Sequence, residues 1–211
     1  MTSFARQERQ QLADLLEQLG PDAPTLCEGW VTRDLAAHLV VRESRPDATV
    51  GLIPPLTGYR SRILRETTDQ PFDRLVAAIR SGPPAWSPFS WPVVEDLANT
   101  VEFFIHHEDV RRAQPGWEPR ELPERVQDQL WGMLRRAAPV LYRRAPVSVL
   151  VCRADGGEMR ARSIDGRATV TVTGAPSELW LAAYGRGENA RLVMDGDPLD
   201  IERLRHTRLG P

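Results

Sequence analysis

Three residues with metal-ligating side chains, Glu102, His106 and Asp109, are spaced four and then three residues apart. If this segment is helical, the three side chains share one narrow stripe, because successive residues turn by about 100°. A stripe that faces a core is normally apolar, and one that faces water is normally rich in lysine and glutamate. Metal binding would explain a carboxylate-imidazole-carboxylate row in apolar company. The apolar neighbours are Leu97, Val101, Phe104 and Ile105.

A second histidine, His38, shares a predicted helical face with Leu35 and Leu39. Two helices that each bring ligands inward can build a site for a first-row divalent metal from neutral imidazoles and an ionised carboxylate. Each feature also has an ordinary explanation. His38 alone is compatible with a core histidine bonded to a carbonyl, and Glu102 with His106 is compatible with a pair on a solvated helix face. Taken together, they predict a metal site.

Two histidines and one carboxylate leave an open coordination position, where zinc would acidify a bound water or thiol. Asp109 is either a fourth ligand or the acceptor that orients His106 through its other ring nitrogen, and the second role is favoured. His107 turns away from the stripe and is expected to be a packing or surface residue, and His206 is expected to be exposed. Cys27 is interpreted as a small buried hydrophobe, with a reactive thiol as the alternative.

Composition sets broad limits on the class of protein. The 211-residue chain has a net charge of −2, 41% hydrophobic residues and 27% charged residues, which are typical of a globular protein that does not bind nucleic acid. Neither a signal peptide nor a membrane-spanning run is recognisable, so a cytoplasmic protein is expected. The two cysteines, Cys27 and Cys152, are therefore expected to be reduced thiols. The sequence leaves the oligomeric state open.

Helical periodicity dominates the first two thirds of the chain. Thr32 is the expected N-cap of the second helix, and Asp34 in its first turn complements the helix dipole. The region Pro54 to Thr68 is ambiguous and partly helical. The remaining apolar patterns predict helices over Phe4 to Leu19, Arg33 to Ser44, Pro71 to Arg80, Val94 to Gln114 and Glu124 to Tyr142.

The period changes after Pro146, where alternating residues predict strands. The dipeptide Asp165-Gly166 is a typical hairpin turn and is expected to join two of them. The alternating residues are Val147, Val149 and Val151, and then Ala168, Val170 and Val172. A helix is expected over Ser177 to Tyr184, a short strand over Arg191 to Met194 and a final helix over Leu199 to Arg208. The predicted fold class is α+β, with an all-helical bundle over residues 1–145 and a small α+β domain over 146–211.

Two segments resemble a known family. Residues 26–39 read Leu-Cys-Glu-Gly-Trp-Val-Thr-Arg-Asp-Leu-Ala-Ala-His-Leu, and residues 102–109 read Glu-Phe-Phe-Ile-His-His-Glu-Asp. These segments are similar to the signature regions of the DinB-like metal-binding superfamily, in its mycothiol-dependent maleylpyruvate isomerase branch. The resemblance implies an N-terminal four-helix bundle followed by a small α+β domain, the order predicted above.

The resemblance also implies site residues. By position, His38, Glu102 and His106 correspond to the ligands of a divalent metal, usually zinc. The open metal position in that family accepts a low-molecular-weight thiol such as mycothiol, which adds to a small electrophile. The isomerase also uses an arginine from its second domain, for which Arg191, Arg203 and Arg205 are candidates.

Two functions are therefore expected as alternatives. The first is a zinc-dependent enzyme, a transferase or isomerase, that uses a thiol such as mycothiol on a small electrophilic substrate. The second is a non-catalytic module whose metal is structural or sensory and whose coordination sphere is closed, for example by Asp109.

Overall fold

A computed structural model describes residues 3–45, 57–91 and 99–210 of the chain. The chain divides into two compact units, residues 1–118 and 119–211. The first unit contains α1 (Phe4–Leu19), α2 (Thr32–Ser44), α3 (Thr57–Thr68), α4 (Phe72–Ser81) and α5 (Thr100–Arg112). Among the described helices, none is both long enough and apolar enough to cross a bilayer.

Four helices of the first unit, α1, α2, α4 and α5, meet in one buried apolar cluster. Their apolar residues recur at helical spacing, so each helix turns one face inward, and each large side chain buried there stabilises the fold by about 1.5–3 kcal/mol. The largest members are Leu12, Leu16, Leu35, Leu39, Leu75, Ile79 and Phe103. The fifth helix of this unit, α3, packs against α2. The expected helical bundle is confirmed.

The start of α2 differs by one residue from the prediction. Thr32 is the first helical residue and not the N-cap. Its hydroxyl donates to the carbonyl of Gly20 at 2.6 Å. The N–H of Val31, the residue before it, donates to the carboxylate of Asp34 at 3.0 Å. Asp34 therefore caps the helix by a direct hydrogen bond. The helix of α5 is described from Thr100, and residues 46–56 and 92–98, with Leu97 among them, lie outside the described part of the chain.

The second unit combines helices with a four-stranded sheet. Its elements are α6 (Glu124–Leu141), β1 (Ser148–Arg153), β2 (Glu158–Arg162), β3 (Thr169–Gly174), α7 (Pro176–Ala183), β4 (Val193–Asp195) and α8 (Pro198–Arg205). The strand order in the sheet is β2-β1-β3-β4. Helices α6 and α7 pack against each other, and the indole N–H of Trp180 donates to the carbonyl of Leu130 at 2.8 Å.

The pairing of β1 is not the expected hairpin with β3. These two strands are parallel, with Val149 opposite Val170 and Val151 opposite Val172, whereas β1 forms its antiparallel hairpin with β2. The hairpin turn uses Gly156 and Gly157, whose φ angles of 108° and 101° suit glycine. Asp165-Gly166 lies in the connection from β2 to β3, which are not neighbours, so the hairpin prediction there is wrong.

The compact units divide between Glu118 and Pro119, whereas the sequence pattern changes at Pro146. The difference is helix α6, which packs against α7 and β2 and so lies with the second unit. A helical bundle followed by a small α+β part is nevertheless the observed fold class. Whether residues 1–145 or 146–211 fold alone stays a prediction.

A buried ion pair holds α1 to α2. The guanidinium of Arg9 meets both carboxylate oxygens of Glu43 at 2.5 Å, and Asn99 donates to the same carboxylate at 3.0 Å. Both charged side chains are almost fully buried, at 3% and 5% exposure. Removing one charge of such a pair leaves the other buried and uncompensated, which is more costly than losing a surface pair.

We therefore expect Glu43→Gln to lower the free energy of unfolding by about 3–5 kcal/mol, because Arg9 loses its counter-charge. Glu66→Gln is the matched control, since Glu66 pairs with Arg62 on the surface of α3 at 3.7 Å. The control should change the free energy by no more than about 0.5 kcal/mol. Urea denaturation measures both, and equal effects of the two substitutions would contradict this account of the Arg9–Glu43 pair.

Candidate metal centre

The predicted ligands His38, Glu102 and His106 lie together in the first unit. Oε1 of Glu102 is 3.2 Å from Nε2 of His38 and 3.4 Å from Nε2 of His106. All three potential ligand atoms lie within 4.8 Å of one another. In a tetrahedral site with metal–ligand bonds of about 2.0–2.1 Å, neighbouring ligand atoms are about 3.3–3.4 Å apart. The observed separations to Glu102 therefore fit a single small divalent ion.

Two helices bring these side chains together. His38 lies on α2, and its ring packs against the indole of Trp30 with centroids 5.3 Å apart. Glu102 and His106 lie one turn apart on α5, so their side chains leave the same face. The rings of His38 and His106 meet edge to face at 5.3 Å. Packing thus fixes both imidazoles before any ion is bound.

The three predicted ligands are not sealed from solvent. Their side chains are 17%, 20% and 12% exposed in the order His38, Glu102 and His106. Asp109 differs, since its side chain is 0% exposed. An ion held by the first three residues would therefore remain accessible to a small molecule, whereas Asp109 is covered by protein.

Asp109 contacts the far side of the His106 ring. Its Oδ2 is 3.0 Å from Nδ1 of His106, whereas Nε2 of that ring faces Glu102. A carboxylate in this position accepts the Nδ1 proton and leaves the Nε2 lone pair free for a metal. This geometry supports the predicted orienting role of Asp109 and places it away from the other two predicted ligands.

Neighbouring charges and hydrogen bonds shift the pKa values of Glu102 and His106 in opposite directions. Burial would raise the pKa of the Glu102 carboxyl, but hydrogen bonds from His106 and His38 and the charges of His106 and Arg42 hold it well below its ordinary value. Burial would lower the pKa of His106, but its hydrogen bonds with Asp109, Cys27 and Glu102 raise it well above the ordinary value. Without a metal, a proton on His106 balances the two flanking carboxylates.

Arg42 is a site residue that the sequence reasoning missed. Its Nε lies 3.2 Å from Oε1 of Glu102, its Nη1 donates to Asn99 at 2.6 Å, and its guanidinium stacks over Phe89 at 4.6 Å. Arg42 follows His38 by four residues on α2, so the helical spacing already placed both side chains on one face. Asn99 in turn joins this arginine to the buried carboxylate of Glu43.

The remaining candidates have other surroundings. His107 is buried, and its Nδ1 lies 2.9 Å from Oε2 of Glu8, so it is a packing residue as predicted. His206 is exposed at the end of α8 and pairs with Glu202. Cys27 is partly buried rather than a sealed core residue, and its thiol donates to Oδ2 of Asp109 at 3.2 Å. The three candidate arginines of the second unit, Arg191, Arg203 and Arg205, are all exposed.

The protein is therefore an α+β protein whose helical bundle carries a cluster of two histidines and one carboxylate and precedes a small α+β unit. Residues 5–54 match the family model "Mycothiol maleylpyruvate isomerase N-terminal domain", which confirms the resemblance drawn from the sequence motifs. This segment contains His38 and ends before Glu102. None of the curated proteins matches the sequence.

Two solved structures share the fold over most of the chain. A crystal structure of the mycothiol-dependent maleylpyruvate isomerase has a TM-score of 0.59 at 17% sequence identity and covers 92% of this chain and 96% of its own. A histidine-to-alanine variant of the mycothiol-dependent maleylpyruvate isomerase has a TM-score of 0.60 at 16% identity, with the same coverage. At this identity the likeness establishes the fold.

If the cluster binds a divalent metal, protein purified without chelators should contain about one ion per chain. In a Cys27→Ser background, which removes the thiol beside His106, His38→Ala and His106→Ala should each abolish the bound metal, because each removes one of the three proposed ligands. His206→Ala is the matched control and should retain it, since His206 is exposed and lies on α8. Elemental analysis measures the content, and undiminished metal in both ligand variants would contradict the assignment.

Metal affinity should fall as the pH is lowered, because protons compete for the histidine nitrogens. The raised pKa of His106 sets the direction of this effect. The ring stays protonated to a higher pH than an ordinary histidine, whose pKa is about 6.5. As the pH is lowered, the loss of metal affinity should therefore begin above about pH 6.5. Isothermal titration with zinc across pH tests this, and a pH-independent affinity would contradict competition at His106.

Proposed function

We propose that this protein is a metal-dependent enzyme, with zinc as the expected ion, that uses a small thiol such as mycothiol. The proposed reaction is transfer of the thiol to a small electrophilic substrate, or isomerisation of that substrate. One observation carries the proposal: His38, Glu102 and His106 converge at ion-binding distances while their side chains remain partly exposed. An ion at this position would have room for a further ligand.

The charge of the donor set favours a thiolate. Two neutral imidazoles and one carboxylate would leave a divalent ion with a net charge of about +1, and such a centre stabilises the thiolate form of a bound thiol. The protein groups around it have definite tasks. Asp109 accepts the Nδ1 proton of His106 and so fixes which nitrogen is free, and Arg42 holds the carboxylate of Glu102 in place.

The comparisons support this proposal at the level of fold and domain family. The family model over residues 5–54 and the two similar crystal structures all concern mycothiol maleylpyruvate isomerase. The proposal does not extend to maleylpyruvate as the substrate, since the resemblance implies a second-unit arginine for which Arg191, Arg203 and Arg205 are candidates without a distinctive motif. The thiol and the electrophile are therefore proposed by chemical class, and a cytoplasmic location stays a prediction.

The test separates an enzyme from a closed metal-binding module. In Cys27→Ser protein loaded with cobalt, mycothiol should produce a sulfur-to-cobalt charge-transfer band near neutral pH, together with proton release. The Cys27→Ser background ensures that the sulfur comes from the added thiol. A fully loaded site whose spectrum no thiol perturbs would mean a closed coordination sphere, and the structural or sensory alternative would then replace the enzyme.

Asp109→Asn is the companion variant in that background. It should keep the metal but weaken the orientation of His106, which lowers metal affinity or activity by about 10- to 100-fold. Glu102→Gln should lose both metal and band, because it removes the only carboxylate of the proposed ligand set. A band that persists in Glu102→Gln without bound metal would show that the signal does not report the proposed site.

A further inference from the structure

A second group of metal-ligating atoms lies on the opposite side of the His106 ring. Sγ of Cys27 is 3.2 Å from Oδ2 of Asp109 and 3.9 Å from Nδ1 of His106, and Nδ1 is 3.0 Å from Oδ2. The three atoms lie within 4.8 Å of one another. None of them takes part in the first cluster, which uses Nε2 of the same ring.

The loop before α2 holds the thiol in this position. The backbone N–H of Leu26 donates to the carbonyl of Asp109 at 3.0 Å, so the loop is tied to α5 beside Cys27. The hydroxyl of Thr25 donates to the carbonyl of Trp30 at 2.8 Å and accepts the N–H of Cys27 at 3.2 Å. Cys27 is therefore a fixed member of the cluster.

The donor set suits a thiophilic divalent ion. Metal–sulfur bonds of about 2.3 Å and metal–nitrogen or –oxygen bonds of about 2.0–2.1 Å need ligand atoms about 3.3–3.6 Å apart in a tetrahedral site. The three observed separations bracket this range. One thiolate and one carboxylate also neutralise the charge of a divalent ion, which lowers the cost of placing it beside the fully buried Asp109. Thiolate favours soft ions over magnesium or calcium.

We propose that Cys27, Asp109 and Nδ1 of His106 form a second cation site, specific for thiophilic divalent ions, that competes with the first site for His106. A neutral imidazole has one nitrogen with a free lone pair, so the ring serves one site at a time. Binding releases two protons to solvent, one from the thiol of Cys27 and one from Nδ1 of the protonated His106 ring, while Nε2 keeps its proton facing Glu102. The inference does not depend on the proposed enzyme, because it uses neither His38 nor Glu102.

Cadmium alone, added to reduced protein without any small thiol, tests the site through the sulfur-to-cadmium charge-transfer band. Wild type should show the band, and so should His38→Ala, which lacks a ligand of the first site only. Cys152→Ser is the matched control, because Cys152 lies on β1 of the second unit, and it should keep the band. Cys27→Ser should lose it, while its hydroxyl can still donate to Asp109.

Three results would overturn the proposal. They are a wild-type protein without the band, a band that survives Cys27→Ser, and a band that disappears in His38→Ala. If Cys27→Ser fails to fold by circular dichroism, Asp109→Asn gives the second reading, and its band should need a higher cadmium concentration. Loading wild type with zinc beforehand should suppress the band, and an unchanged band would contradict competition for His106.

Discussion

The contacts between α2 and α5 in the first unit centre on one carboxylate oxygen, Oε1 of Glu102, which three nitrogen atoms share. Oε1 of Glu102 lies within 3.2–3.4 Å of Nε2 of His38, Nε2 of His106 and Nε of Arg42, which belong to two helices. A carboxylate that is mostly covered by protein is costly unless positive or donating groups compensate it. The three nitrogens supply that compensation, so α2 and α5 are held in register by the same contacts that create the candidate metal centre. Through Asn99, the network continues to the buried pair of Arg9 and Glu43.

His106 is the pivot of this arrangement because its two ring nitrogens face different surroundings. Nε2 faces Glu102 among partly exposed side chains, and Nδ1 faces the buried Asp109 with Cys27 beside it. The raised pKa of the ring shows that this position favours a positive charge. A divalent ion bound in place of the proton would compensate the negative charge of the same carboxylates, Glu102 and Asp109. The choice between the two nitrogens then decides whether the ion lies on the side with an open position or on the side of the thiol.

The sequence predicts much of this because the main signals are local. The stripe of Glu102, His106 and Asp109 follows from helical spacing alone, and so do the faces of α1, α2 and α4. Arg42 could have been found by the same rule, since it follows His38 by four residues. The pairing of Arg9 with Glu43 could not, because it joins helices whose relative rotation no local pattern specifies.

In the second unit, the alternation of apolar residues predicts the strands but not which strands pair, because the pairing is non-local. Strand β2 is an edge strand with charged residues and no run of alternating valines, so the sequence pattern favours a hairpin at Asp165-Gly166 and does not predict the parallel pairing of β1 with β3. Helix α6 reads as one more bundle helix, because its apolar face does not specify a partner. In the structure it packs on α7 and β2, which moves the division of the chain to residues 118 and 119.

The central claim is that His38, Glu102 and His106 hold an ion that keeps an open position. X-ray absorption at the zinc edge tests it most directly, on Cys27→Ser protein loaded with zinc in the absence of small thiols. The account predicts only nitrogen and oxygen neighbours at about 2.0–2.1 Å, with two imidazoles among them, and one sulfur at about 2.3 Å once mycothiol is added. A sulfur neighbour before any thiol is added, or a shell that mycothiol leaves unchanged, would contradict it.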